Sequence, residues 1–161
     1  KTIAEELDSD VSFLVWELRP TALDDLGFKD ALAHYVEKWS LQFEIPVRFH
    51  VGHYDDARVP TEGQSSLYRI AQEALNNVYK YAEARNVSLL LETKGSQVVM
   101  IIEDDGRGFD VNDKLVSNQG FGLIGMTERA ALVGGTLEIE SSPGAGTTLF
   151  VRIPIIMGDG R

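Results

Sequence analysis

A chain of 161 residues, 43% of them apolar, is long enough to bury the core of one domain. Its 15 Lys and Arg face 25 Asp and Glu, and the net charge of −10 disfavours a broad nucleic-acid or anionic-membrane surface, since either needs a basic field. With no cysteine there are no disulfides or thiolate metal sites, and the longest apolar runs, such as VVMII, fall far short of a membrane span.

The chain opens KTIAEELDSD, without a Met, and reads as a piece of something longer. Ile3, Leu7, Val11, Leu14 and Leu18 recur at helical spacing, and Pro20 ends the stripe. It reads as an ordinary surface helix or as half of an interrupted helical hairpin. A second helix is expected after Gly27, with Phe28, Leu32, Tyr35, Val36, Trp39 and Phe43 on one face and Pro46 as its stop. PVRFHVGH alternates Val47, Phe49 and Val51 against polar neighbours and predicts a strand.

Beyond a turn at residues 60–63, Leu67, Ile70, Ala71, Ala74, Leu75 and Val78 mark the third and most regular helical face. NVSLLLE and VVMIIED then form two strands joined by TKGSQ. A loop rich in Gly, Asn and Asp follows over 106–120. Another helix spans about Leu123–Leu132 and stops at Gly134 and Gly135. TLEIESS and TTLFVRIP close the chain as strands around the turn PGAG. Helices dominate the first half and strands the second. The expected fold is therefore α+β, a two-layer sandwich of helices on one face of a mixed, mostly antiparallel sheet, preceded by an N-terminal helix.

Four constellations carry chemistry. In LYRIAQEALNNVYKYA, Glu73, Asn77 and Lys80 are spaced to share one helix face beside the apolar stripe. Such a face is often only a solvated flank. Asn is a weak helix former in mid-helix, however, and its amide oxygen suits a hard cation such as Mg²⁺, with Glu73 orienting or deprotonating a group nearby. EDDGRGF, at 103–109, is either a charged turn or a ligand floor. In the second case Asp104 would accept from the amino group of a base, while Gly106 and Gly108 would let backbone approach the ligand. Gly120 and Gly122 precede a helix whose free N–H groups suit a phosphate, with Phe121 and Leu123 beside them. SPGAGTTLF is a glycine turn leading into Thr147 and Thr148.

In this fixed order the four segments resemble the nucleotide boxes of the GHKL ATPases, the superfamily of gyrase B, Hsp90, MutL and the sensor histidine kinases. LRPTALDDLGF, RIAQEALNNVYKYA, DDGRGF and GFGLIGMTERAALVGG are similar to the histidine kinases related to the nitrate sensors and the desaturase thermosensor. The likeness runs over 18–154. It implies the Bergerat ATP-binding fold, with ATP and Mg²⁺ as ligands. Asn77 would hold the Mg²⁺ that bridges the phosphates, Glu73 would be its polar or basic partner, and Lys80 would reach a phosphate. Asp104 would take the adenine amino group, supported by Thr147 or Thr148, over a floor of Gly106 and Gly108. Residues 110–120 would be the lid, with Gly120, Phe121, Gly122 and Leu123 at its phosphate-gripping end.

The resemblance also implies that residues 1–20 are the C-terminal part of a dimerisation and phospho-acceptor hairpin, and 21–161 the catalytic domain. His34, His50 and His53 are the only histidines, and none stands in an acceptor-like setting. The γ-phosphoryl would pass to a histidine outside this chain and then to a response regulator receiver domain. The parent would be a homodimer with this domain in the cytoplasm, whether or not it is anchored in a membrane. An anti-sigma-type serine kinase and a non-catalytic ATP-sensing module are alternatives on the same fold. The Leu-Arg-Pro segment argues against the first, and the intact set of box residues against the second. Two positions depart from the pattern. Tyr81 replaces a frequent His, and Asp105 replaces a frequent Asn, adding negative charge beside the nucleotide unless it faces solvent.

Overall fold

The structure, a computed structural model, describes residues 20–113 and 122–156. The expected helix over 1–20 lies outside them, Pro20 apart. A short helix the apolar spacing does not announce, α1 (Thr21–Leu26), starts directly after Pro20, whose fixed φ suits a helix entry. Gly27, at φ 79, turns the chain into α2 (Phe28–Phe43). The Lys29 N–H in the first turn of α2 donates to the Asp56 carboxylate at 3.2 Å, and Tyr54 Oη donates to the same carboxylate at 2.6 Å. Asp56 thereby caps α2 from a distant loop.

β1 (Val47–Val51) follows, then a single 3-10 turn (Asp56–Arg58) and α3 (Thr61–Asn77). α3 does not simply stop. It widens into a π turn, Val78–Ala82, before Glu83 reverses the chain at φ 53. β2 (Val87–Lys94) and β3 (Gln97–Asp104) form a hairpin, α4 is Leu123–Leu132, and β4 (Thr136–Ser141) and β5 (Thr147–Pro154) form a second hairpin.

The five strands lie in the order β1-β2-β3-β5-β4. β1 runs parallel to β2, as a strand reached through a helical crossover can, and the other pairs are antiparallel. Alternation divides the sheet into two faces. Leu89 and Leu91, Met100 and Ile102, Val151 and Ile153 point to the helices and are almost fully buried. Phe28, Leu32 and Trp39 of α2, Leu67, Ile70 and Leu75 of α3, and Met126 and Ala130 of α4 complete one continuous core. The opposite face carries exposed groups such as Arg48, Glu103 and Glu138. This is the expected two-layer α+β sandwich on a mixed, mostly antiparallel sheet.

Candidate functional site

The end of α3, the end of β3 and the start of β5 meet at one edge of the core. Register makes this meeting unavoidable: Asp104, the last residue of β3, pairs with Thr147, the first of β5. The side chains between helix and sheet leave a cleft of about 470 Å³, counted to its open mouth. Its walls are apolar, with Ala74 and Val78 from α3 and the π turn, Ile102 and Leu149 from the sheet, and Leu123 from α4. Polar groups reach it at few points: Asn77, Tyr81, Asp104 and Thr147. A mostly apolar pocket with a few convergent polar groups is the usual form of a small-ligand site.

Asp104 is only 8% exposed, and Oδ1 accepts from the Gly106 N–H at 2.8 Å. Burial pushes its carboxyl above the usual carboxylate range, Glu103 and Asp105 add to the rise, and the backbone N–H bonds from Gly106 and Thr147 oppose it. Glu73 is likewise raised by burial, with Lys80 opposing. It lies against Gly122, the residue that opens α4 at φ 65, so closely that a side chain there would strike the Glu73 carboxylate.

The structure brings Asn77, Asp104, Gly108, Leu123 and Thr147 together around the cleft, with Glu73 and Gly122 touching one another beside it. Gly120 and Phe121 lie outside the described residues. Three placements differ from the sequence reading. Thr148 projects from the opposite face of the sheet, paired with Glu140, because consecutive strand residues alternate; Thr147 and not Thr148 lines the cleft with Asp104. Lys80 is exposed and does not line the cleft, though it lies near enough to Glu73 to act on its carboxyl. Gly106 faces protein instead of a ligand: a Cβ there would collide with the carbonyl of Ala82.

Several lining residues escaped the sequence reading. Ile102 and Leu149 sit two residues from Asp104 and Thr147 on the same strand faces, a signal that alternation offered. Tyr81 and Ala82 continue the stripe of Ala74, Asn77 and Val78 at helical spacing, a signal that periodicity also offered. Asp105, the suspect charge, faces solvent, and its carboxylate accepts from the backbone N–H groups of Arg85 and Asn86 at 2.8 and 2.9 Å. His34, His50 and His53 are all exposed.

The arrangement suits a flat, amino-bearing heteroaromatic ring held between apolar walls with its donor toward Asp104. Among the described residues no three His, Asp or Glu gather as a metal centre. A hard cation at Asn77 would thus draw most of its oxygen ligands from its co-ligand and from water, as Mg²⁺ does at phosphate sites.

Comparison with known proteins agrees with this geometry. Residues 62–156 match the family described as histidine kinase-, DNA gyrase B- and HSP90-like ATPase. The chain is 36% identical over 141 residues to the signal transduction histidine-protein kinase/phosphatase DegS of Bacillus subtilis, covering 85% of this chain and 36% of DegS. It is 37% identical over 153 residues to the oxygen sensor histidine kinase NreB of Staphylococcus carnosus, covering 95% and 44%. The chain thus spans less than half the length of these relatives. Among solved structures, the ATP binding domain of PrrB from Mycobacterium tuberculosis has the same fold, with a TM-score of 0.64 at 24% identity over 78% of this chain and 92% of that one. With a match over most of its length, this chain belongs to the histidine kinase-, DNA gyrase B- and HSP90-like ATPase family.

Proposed function

We propose that the chain is the ATP-binding, phosphoryl-donating domain of a bacterial sensor histidine kinase that works in the cytoplasm. The observation that carries this reading is the convergence of Asn77, Asp104 and Thr147, from three distant segments, on one apolar cleft. Its relatives' names point the same way: DegS and NreB are histidine kinases. Bound Mg·ATP would supply the phosphoryl group and the cation that neutralises its charge.

The chain's own residues bind and orient. Asp104 accepts from the adenine amino group with Thr147 beside it. Asn77 would hold the cation through its amide oxygen. Glu73, whose burial favours the proton-bound form, holds or passes a proton near the phosphates. The N-terminus of α4 at Gly122 offers N–H groups to phosphate oxygens. Such a site works by positioning and charge compensation more than by covalent chemistry. The acceptor histidine and the dimerising hairpin belong to the parent protein, and the phosphoryl group goes on to a response regulator receiver domain.

The experiment combines this chain with a separate acceptor-hairpin fragment and labelled Mg·ATP. Acid-labile phosphohistidine on the hairpin is the expected product. Phosphoserine on a partner, or binding without transfer, would replace the kinase reading with one of its two alternatives. In calorimetry, Asn77→Ala should abolish Mg²⁺-dependent ATP binding while leaving circular dichroism unchanged; an unaltered affinity would remove the metal role.

A further inference from the structure

The π turn is held from outside itself. Carbonyls at a helix C-terminus lack partners within the helix, and two here are met by one residue of the neighbouring loop. Arg107 Nε donates to the Tyr81 carbonyl at 2.7 Å, and the Arg107 backbone N–H donates to the Ala82 carbonyl at 2.7 Å. A few residues on, the Arg85 and Asn86 N–H groups both donate to Asp105 Oδ1, at 2.8 and 2.9 Å, and the Asn86 side-chain amide donates to Oδ2 at 3.1 Å. The Asp105 N–H returns a bond to the Asn86 carbonyl at 3.3 Å. Between Asp105 and Arg107, Gly106 closes on Ala82 without room for a side chain. Neither Asp105 nor Arg107 lines the cleft, yet between them they bind both ends of the 81–86 turn.

We propose that Asp105 and Arg107 are positioning residues, whose grip on the 81–86 turn keeps the π turn open and so sets how Asn77 and Tyr81 enter the cleft. The π turn begins directly after Asn77 and contains Tyr81, and both residues line this cleft. A π turn is uncommon and competes with ordinary α continuation. Bonds that meet its last carbonyls from outside, without demanding α geometry, favour the wide form. The donors around Asp105 hold its carboxyl below the usual range, as befits an ionised acceptor. On this view the Asp that departs from the family's frequent Asn acts on the site through backbone geometry, with its charge turned to solvent.

The functional readout rests on the nucleotide reading above, and the test separates the two. Asp105→Ala, Asp105→Asn and Arg107→Ala are compared with the parent chain by titration with Mg·ATP. The side-chain amide resonances of Asn77 are followed without nucleotide, and thermal unfolding is run alongside. Both Ala variants should shift the Asn77 resonances and weaken Mg·ATP roughly tenfold or more, the effect usual for residues that orient a ligating group. Asp105→Asn keeps an oxygen acceptor for the two backbone N–H groups and should stay close to the parent.

If Asp105 acts through charge instead, Ala and Asn would both tighten binding of the anionic nucleotide, and the proposal is overturned. Unmoved Asn77 resonances with unchanged affinity overturn it equally. Should Asp105→Ala fail to fold, Arg107→Ala decides, since it leaves the backbone bond to Ala82 in place. Should the parent not bind ATP, the nucleotide reading falls and the Asn77 resonances alone judge the positioning role.

Discussion

Asp104 stores a conflict between folding and function. Its folded pKa is raised above the unfolded value, so the protonated form is favoured in the native state. The sign follows by linkage: the stability it contributes is present below the ordinary carboxylate pKa of about 4 and is lost as pH rises through the raised folded value. At neutral pH an ionised, buried Asp104 is therefore a burden. Asp104→Asn, which can still accept from Gly106, should raise the melting temperature at pH 7, and the gain should vanish in acid. Scanning calorimetry at two pH values checks this; equal gains at both would contradict the assigned cause. The same carboxylate is the proposed adenine acceptor, and on that proposal Asp104→Ala should weaken ATP by roughly 1–3 kcal/mol while affecting GTP less. Asp104 was legible in the sequence because a carboxylate at a strand end beside two glycines is a local pattern. That Thr147 and not Thr148 stands next to it was decided by strand register.

At the scale of elements, the π turn and the 105–108 loop behave as one unit. Gly106 and Gly125 make a controlled pair. A Cβ at Gly106 meets the backbone of Ala82, which cannot swing aside, whereas a Cβ at Gly125, on the exposed side of α4, meets nothing. Gly106→Ala should destabilise by roughly 1–3 kcal/mol, as overpacking does. Gly125→Ala should stabilise by about 0.5–1 kcal/mol, the ordinary gain of Ala over Gly in a helix. Urea denaturation measures both, and similar values for the two would refute the close approach of the loop to the turn. The glycines of EDDGRGF were visible as a motif, but the sequence reading assigned Gly106 to a ligand. Its real neighbour, Ala82, is a residue of another segment, and its contact carries no local signature.

Across the whole molecule, one core joins sheet and helices, so the cleft has no stability of its own. Met100, fully buried at the centre of β3, touches no ligand position, yet Met100→Ala should cost about 2–5 kcal/mol. The loss should appear equally in far-ultraviolet dichroism and in the fluorescence of buried Trp39, as expected of a two-state domain. Conversely, Mg·ATP at a hundredfold its dissociation constant should add about 2.7 kcal/mol to the unfolding free energy of the parent chain and none to Asn77→Ala.

Sequence alone determined the layers of this protein, because hydrophobic periods of 3.6 and 2 are local and each assigns a face without knowledge of its partner. It yielded α2, α4 and the five strands to within a few residues, and α3 apart from its first turn, which was read as part of the turn at 60–63; the resemblance of four ordered motifs named the ligand they serve. It missed α1, too short to show a period, and the π turn, which continues the same apolar stripe. Only the tertiary structure decided how the far-apart segments close on one another: Asp105 and Arg107 gripping the turn, Glu73 against Gly122, Thr148 turned away. Those contacts join residues tens of positions apart, and their geometry exists only once the sheet's register and the core beneath it are set.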